Sequence, residues 1–194
     1  IFNSMEDAYA AIETYKAAIM SDGEEEIAEN ISMTPQPQIS LVIMDQSNGH
    51  VVAIVGGRGA KEGSRTLNRA TDSARQPGST FKVLSTYAPA LDSAGMTLAT
   101  VFNDAPFNYN DGTPVHNWYS NPPYEGLSSI RKGIYHSMNI VTVKCLTQIT
   151  PKLGFDYLED FGFTTLNELN DCYQPMALGG VGGVTNLELC AAYA

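Results

Sequence analysis

The sequence has 194 residues, 43% of them hydrophobic, which suits one domain to one and a half domains with a sizeable core. The formal net charge of −10 leaves no basic stripe to neutralise phosphates, so we expect no nucleic-acid partner. The cysteines and histidines show no metal-ligand spacing, and no run of about 20 apolar residues predicts a membrane span.

The N-terminal part predicts one helix and one hairpin. Residues 4–20 carry a capping Ser4 and apolar side chains at three- and four-residue intervals, namely Met5, Ala8, Tyr9, Ile12, Tyr15 and Ile19. Residues 39–57 contain two β-branched apolar runs flanking Asn48-Gly49, a pair that supplies the positive φ angles of a tight turn. Because an isolated hairpin is only marginally stable, we expect these strands to belong to a larger sheet.

The rest of the chain predicts helices joined by loops. Residues 58–78 have the composition of a loop, and a buried helix kinked at Pro89 follows from Ser79. Residues 97–124 predict a long connection with little regular structure. Further helices are predicted over 128–136, 140–149 and 151–161, and a capping box of Thr185 and Glu188 opens a last one. Apolar helical runs around Cys145 and Cys190 predict buried free thiols.

The start of the helix at Ser79 combines an alcohol with an amine. Ser79 and Lys82 are three residues apart, so they share a helix face and can form a hydrogen bond. A serine hydroxyl is a poor nucleophile unless a base removes its proton, and a lysine can be that base if burial lowers its pKa. The spacing by itself favours a helix cap beside a surface lysine, because Ser-x-x-Lys occurs by chance in most proteins of this length.

A longer string decides between these alternatives. "NRATDSARQPGSTFK" over residues 68–82, preceded by "VVAIVGGRG", resembles the penicillin-binding proteins, and more closely their class A, bifunctional branch. The family's second element, Ser-x-Asn, is present as Ser137-Met138-Asn139 within "GLSSIRKGIYHSMNIVTVK". "NDAPFNYNDGTPVHNWY" and "LGGVGGVTNLELCAAYA" are similar to the same family, so the resemblance covers residues 38–194.

The resemblance implies a role for each matching residue. Ser79 would be the nucleophile that forms the acyl-enzyme, and Lys82 would be the base for acylation. Ser137 would relay a proton to the leaving amine, and Asn139 would hydrogen-bond the substrate amide and Lys82. Ser137 and Asn139 are two residues apart, so an extended bend would point both side chains to one side. The aromatic loop before them offers weaker candidates for substrate binding, Trp118 and Tyr119.

The resemblance also implies a fold. We expect an α+β class: a partial penicillin-binding/β-lactamase-like transpeptidase fold, mostly helical, plus a β-hairpin of an incomplete antiparallel sheet. Residues 1–37 would be a linker and N-terminal helix region, and residues 38–194 a truncated transpeptidase domain.

The family's third element, Lys-Thr/Ser-Gly, does not occur in these 194 residues. Lys152-Leu153-Gly154 follows a proline in a helical context and is not a substitute. The chain starts with Ile1 and ends within its last predicted helix, so we expect an N-terminal fragment of such a domain, inactive or nearly so alone. Its unpaired hairpin edge is expected to seek a partner, with a second copy of the chain as one candidate.

The implied function is cross-linking of cell-wall stem peptides by a peptidoglycan D,D-transpeptidase that β-lactams would trap. No cofactor or metal is implied. A missing N-terminal region would hold the full protein in the cell membrane, with this domain on the extracytoplasmic face. Two alternatives stay open: a serine β-lactamase, and a non-enzymatic β-lactam sensor or scaffold domain.

Overall fold

The computed structural model describes residues 1–31, 33–61 and 63–194 and divides the chain into two units, Ile1–Thr34 and Pro35–Ala194. In the first unit, helix α1 (Met5–Ile19) begins after Ser4, whose Oγ accepts a hydrogen bond from Asp7 N at 3.0 Å. The predicted helix and cap are therefore confirmed.

The apolar face of α1 is largely exposed. Met5 is 56% exposed and Tyr15 66%, and Ala8 is the only buried residue among those described in this unit. A 3.6-residue period identifies which face is apolar, but burial needs a partner surface, and the described residues of this unit supply none. The domain boundary between residues 37 and 38 stays a prediction.

The second unit carries two small antiparallel sheets and a helical core. Strands β1 (Leu41–Asp45) and β2 (His50–Val55) pair with each other, and β3 (Val101–Asp104) pairs with β4 (Gly126–Ser129). Its helices are α2 (Arg69–Asp72), α3 (Ala88–Asp92), α4 (Ile130–Tyr135), α5 (Asn139–Ile149), α6 (Pro151–Asp160), α7 (Glu168–Asp171) and α8 (Asn186–Tyr193). The described residues of this unit also form two 3₁₀ turns (Gly78–Thr80 and Gln174–Leu178) and a π-helical segment (Val83–Tyr87).

The predicted β1–β2 hairpin is present, but its turn differs from the expected one. Asp45 pairs with His50 across a four-residue loop, and only Gly49 has a positive φ, of 72°. Asn48 instead donates its side-chain Nδ2 to the Asp45 carboxylate at 2.9 Å. Every residue of β2 is exposed, so this hairpin carries apolar side chains that the described residues leave uncovered.

The long connection predicted over residues 97–124 is partly wrong, because β3 lies within it. β4 likewise occupies the start of the helix predicted from residue 128, which begins instead at Ile130. Both strands have four residues and include polar ones, "VFND" and "GLSS", so neither shows the apolar run that indicates a strand. Helices α2 and α7, also four residues long, were missed for the same reason.

The core surrounds α5, on which seven residues are buried: Ile140, Val141, Thr142, Val143, Cys145, Leu146 and Ile149. Phe81, Leu84 and Tyr87 belong to this core, in agreement with the buried helix predicted from Ser79. Where a kink at Pro89 was expected, the chain forms the π-helical segment just before it, because a proline cannot bond the carbonyl of Ser85. Cys145 is a buried free thiol as expected, whereas Cys190 is free but only half-buried.

Helix α6 lies close to the carbonyl of Ser85. A Cβ on Gly154 would come within 2.3 Å of Ser85 O, so only glycine permits this approach. Across the described ranges of the chain, every helix is too short or too polar to traverse a lipid bilayer.

Candidate active site

The turn that carries Ser79 is a 3₁₀ turn, Gly78–Thr80, entered through Pro77. Gly78 has a φ of 58°, and Thr80 donates its hydroxyl to Pro77 O at 2.6 Å, which closes the turn. Ser79 is exposed to solvent, while Lys82 is only 3% exposed. Lys82 lies two residues beyond the 3₁₀ turn, immediately before the π-helical segment.

Gly179 supports this turn from behind. Its φ is 75°, and a Cβ there would lie 2.4 Å from the backbone N and O of Gly78. A glycine is therefore needed for two reasons, the left-handed backbone and the contact with Gly78. Nearby, Arg75 and Val184 exchange two backbone hydrogen bonds, which tie the approach to the Ser79 turn to the segment before α8.

Lys82 contacts the two other predicted site residues. Its Nζ donates to Ser137 O at 2.7 Å, to Ser137 Oγ at 2.9 Å and to Asn139 Oδ1 at 2.6 Å. We call Lys82, Ser137 and Asn139 the Lys82 cluster. Burial lowers the pKa of Lys82 to about 8, which makes the neutral amine accessible near neutral pH.

The backbone at Ser137 differs from the extended bend that its spacing suggested. Ser137 has a φ of 50°, a left-handed conformation that few residues other than glycine adopt, and α5 begins two residues later. This conformation lets the carbonyl and the hydroxyl of Ser137 both contact Lys82. Such a strained residue persists where its surroundings hold it, and these positions concentrate at functional sites.

The structure does not join Ser79 to Lys82 by a hydrogen bond. The ammonium form of Lys82 already uses its three N–H groups on Ser137 and Asn139. A neutral amine gains a lone pair that can accept a proton from a hydroxyl. Ser79 thus provides an exposed hydroxyl, and Lys82 provides a buried amine that can be either protonated or neutral.

The two aromatic candidates have different surroundings. Tyr119 donates its hydroxyl to Asp104 Oδ2 at 2.7 Å and stacks on His136 with ring centroids 5.1 Å apart, so it holds the loop together. Trp118 is 65% exposed and donates its Nε1 only to the carbonyl of His136, at 3.0 Å. Of the pair, Trp118 has the ring that is open to a ligand.

Three further residues contact Asn139 or support its neighbours, and no individual role was predicted for them. The carbonyl of His116 accepts from Asn139 Nδ2 at 2.7 Å, Asn117 Oδ1 accepts from Asn139 N at 3.0 Å, and Asp104 accepts from Asn117 Nδ2. All three lie in the stretch predicted as an irregular connection. Their one signal was the family-like string "NDAPFNYNDGTPVHNWY", which contains them without singling them out.

Comparison with known proteins gives consistent results. The family model described as the penicillin binding protein transpeptidase domain matches residues 39–174. The chain is 34% identical over 170 residues to penicillin-binding protein 1A of Clostridium tetani, covering 81% of this chain and 21% of that protein. For penicillin-binding protein 1A of Escherichia coli the identity is 32% over 167 residues, covering 84% and 19%.

A solved structure agrees with the sequence comparisons. The crystal structure of penicillin-binding protein 1A from Haemophilus influenzae matches with a TM-score of 0.68 at 30% identity, covering 80% of this chain and 23% of that one. The partial α+β fold expected from the sequence is confirmed. The chain spans about a fifth of the length of the curated relatives that it matches.

Proposed function

The chain belongs to the family of penicillin-binding protein transpeptidase domains, and from this premise we propose that Ser79 is the nucleophile of a serine-type D-Ala-D-Ala transpeptidase. The observation that carries the proposal is the position of Lys82. This buried amine, with its lowered pKa, lies three residues after Ser79 and within hydrogen-bond distance of Ser137 and Asn139.

The first step is acylation. Neutral Lys82 takes the hydroxyl proton of Ser79 as Oγ attacks the carbonyl carbon of the penultimate D-Ala of a stem peptide. The backbone N–H of Ser79 stabilises the developing oxyanion. Collapse of the tetrahedral intermediate breaks the peptide bond, and the proton passes from Lys82 through Ser137 Oγ to the departing amine of the terminal D-Ala.

The second step reverses these roles. The amine of another stem peptide attacks the ester carbonyl on Ser79, gives its proton back through Ser137 and Lys82, and releases Ser79 as the cross-link forms. Asn139 orients the substrate amide. A β-lactam would enter the first step in place of the stem peptide, and its opened ring would stay attached to Ser79.

Trp118 is the aromatic residue that we propose lines the substrate cleft. Its exposed ring stands beside the segment that carries Ser137, and aromatic faces provide apolar contact area at low entropic cost. Tyr119 takes part indirectly, since its hydroxyl is occupied by Asp104.

A serine β-lactamase shares the same first step and differs in the second. It needs a base, such as a carboxylate, that activates water against the acyl-enzyme. In the described ranges of the chain, no carboxylate hydrogen-bonds Ser79, Lys82 or Ser137, which favours the transpeptidase. A sensor or scaffold domain would keep the fold with little or no turnover.

For the 194-residue chain by itself we propose little or no activity. It contains no Lys-Thr/Ser-Gly, so it lacks the cation that would hold the substrate carboxylate. The exposed strands of the β1–β2 hairpin would pair with another strand, either of a second copy or of a longer protein. Since peptidoglycan is cross-linked outside the cytoplasm, we place the working protein at the extracytoplasmic face of the cell membrane.

Intact-mass spectrometry after penicillin treatment tests the proposal. The full-length gene product should gain one lasting adduct on Ser79, Ser79→Ala should gain none, and Ser64→Ala, at an exposed serine outside the site, should behave like the wild type. Rapid loss of the adduct would indicate a β-lactamase, and no adduct would indicate a scaffold. Acylation of the isolated 194-residue chain at the rate of the full-length protein would overturn the proposal about the chain alone.

A further inference from the structure

A buried carboxylate lies near the Lys82 cluster without contacting it. Asp104, at the end of β3, is fully buried. Its Oδ1 accepts from Asn117 Nδ2 at 2.8 Å, and its Oδ2 accepts from Tyr119 OH at 2.7 Å and from Glu125 N at 2.8 Å. A buried carboxylate is costly unless it is hydrogen-bonded, so these three donors are what allow Asp104 to stay there.

Asp104 determines which way the Asn117 amide faces. A carboxylate can only accept, so the NH₂ group of Asn117 must face Asp104 and its oxygen must face away. That oxygen accepts from the backbone N–H groups of Asn139 at 3.0 Å and Ile140 at 3.3 Å. The residue before α5, Met138, makes no side-chain cap, so Asn117 serves as the cap from a distant loop.

The same loop also holds the side chain of Asn139. The carbonyl of His116 accepts from Asn139 Nδ2 at 2.7 Å, which leaves Oδ1 to accept from Lys82 Nζ at 2.6 Å. Backbone and side chain of Asn139 are thus both fixed by two consecutive loop residues. Their position depends on the contact between Asn117 and Asp104.

We propose that Asp104 is a positioning residue for acyl transfer: through Asn117 it fixes Asn139 and so the face that Asn139 presents to Lys82. The proposal rests on the function assigned above to Lys82. Asp104 itself touches neither substrate nor Lys82. Its effect is therefore expected on the acylation step, where small misplacements of a catalytic group are costly.

Exchanging the side chains of Asp104 and Asn117 provides the decisive variant. In Asp104→Asn, one amide cannot accept from Asn117 and from Glu125 N at once, so at least one donor faces another donor. Asn117→Asp sets two carboxylates against each other. In the double variant D104N/N117D, Asn at 104 donates to Asp at 117 and still accepts from Tyr119 and Glu125, while Asp at 117 still accepts from the first turn of α5. Every hydrogen bond among these residues is restored except the long one, of 3.4 Å, that Asn117 Nδ2 donates to Pro123 O.

A matched control is Asp171→Asn. Asp171 is also buried and accepts two backbone N–H groups, from Asn167 at 2.8 Å and Gly182 at 2.7 Å, but no hydrogen bond links it to the Lys82 cluster. Its replacement removes a buried carboxylate of similar kind. It therefore reports the effect of lost stability on the reaction.

The main measurement is the acylation rate constant of the full-length gene product with a fluorescent penicillin. Varying the penicillin concentration separates this rate constant from the dissociation constant of the initial complex. Asp104→Asn and Asn117→Asp should each lower the acylation rate constant by about tenfold or more, D104N/N117D should recover most of the loss, and Asp171→Asn should leave it unchanged. An unchanged rate in Asp104→Asn, or a double variant no faster than either single one, would overturn the proposal.

Amide hydrogen exchange in the 194-residue chain separates this inference from the proposed function. Asp104→Asn should speed exchange at Asn139 and Ile140, and Asp171→Asn should not. If the wild-type gene product is not acylated, the proposed function fails, while the exchange result still decides whether Asp104 positions Asn139. Equal exchange at both amides in wild type and Asp104→Asn would overturn the positioning role.

Discussion

The Lys82 cluster and the β1–β2 hairpin differ in how their side chains are buried: the first buries a polar group, and the second exposes apolar ones. Lys82 is 3% exposed, and all three of its N–H groups have acceptors. In the hairpin, apolar Val52 is 63% exposed and Ile54 43%. The buried amine of Lys82 therefore has all its hydrogen bonds, whereas the apolar side chains of the hairpin stay in contact with water. This is the reverse of what the free energies alone suggest, because burying an amine costs free energy and burying an apolar side chain gains it.

The hydrogen bonds within the Lys82 cluster involve no residue of the hairpin. The contacts of the site residues come from the Ser79 turn, α5 and the loop before it. The hairpin packs instead against α8 and α2, and Asn186 of α8 donates to Ser40 Oγ at 3.2 Å. Variants in the Lys82 cluster should therefore change the acylation rate, whereas variants in the hairpin should change association between chains.

The largest effect is expected from Lys82→Met. Removal of the amine leaves Ser79 without its base, and general bases contribute about 10²–10⁴-fold to a rate. The acylation rate constant of the full-length gene product with fluorescent penicillin should fall by that factor. Val52→Thr, in the hairpin, should leave the rate unchanged, and equal losses in both variants would refute the separation.

Two glycines with nearly the same backbone sharpen the comparison. Gly179 (φ 75°) contacts the Ser79 turn, whereas Gly49 (φ 72°) lies in the hairpin loop with open space around it. Gly49→Ala adds only left-handed strain, of about 1–2 kcal/mol. Gly179→Ala adds the same strain and a clash with Gly78, so its free energy of unfolding should be lower by a further ~1–3 kcal/mol.

Urea unfolding measures both glycine variants, and the acylation rate of the full-length gene product measures the displacement of Ser79. Gly179→Ala should slow acylation, and Gly49→Ala should not. If the two variants lost the same stability and neither slowed acylation, the support of the Ser79 turn by Gly179 would be ruled out.

A carboxylate in α8 gives a smaller effect that depends on pH. Desolvation opposes ionisation of Glu188, but hydrogen bonds from Thr185, Thr164 and Thr165 outweigh it and lower its pKa from 4.5 to about 2. The stability that Glu188 contributes is thus fully present above pH 4.5 and is lost as the pH falls through about 2. The advantage of wild type over Glu188→Gln in urea midpoint should shrink over this window.

The hairpin supplies the control for this titration. Hydrogen bonds from Ser47, and then from Asn48, lower the pKa of Asp45, which lies at the end of β1 and stays partly accessible to solvent. Solvent screens such contacts, so Asp45→Asn should change the pH dependence less than Glu188→Gln does. A larger change for Asp45→Asn would show that the hairpin loop, and not the α8 cap, governs acid sensitivity.

Sequence predicted the parts of the fold that have a local signal. Periodicity located α1, α5 and α6, a capping box located α8, and the family strings selected the residues of the Lys82 cluster. It did not predict β3 and β4, whose pairing joins short, partly polar segments more than 20 residues apart. Periodicity likewise could not supply a partner for the apolar face of α1.

The hydrogen bonds that hold Asn139 in place could not be predicted from the sequence either. Asp104, Asn117 and Asn139 are separated by 13 and 22 residues, and their hydrogen bonds exist only after the loop has folded over the start of α5. The left-handed Ser137 was also missed, because serine carries no preference for that conformation. Local patterns identify residue types, whereas the angle at which they meet depends on tertiary contacts.

The smallest effect on stability, and the clearest on association, is expected from Ile54→Lys. Ile54 is already 43% exposed, so its free energy of unfolding should change by no more than about 0.5 kcal/mol. A charge on an open strand hinders pairing with another strand, so dimers that wild type forms with rising concentration in sedimentation velocity should be reduced. Leu169→Lys, which replaces an 81% exposed residue on α7, should leave association unchanged. A strictly monomeric wild type would contradict self-pairing of the hairpin and leave a strand of a longer protein as its partner.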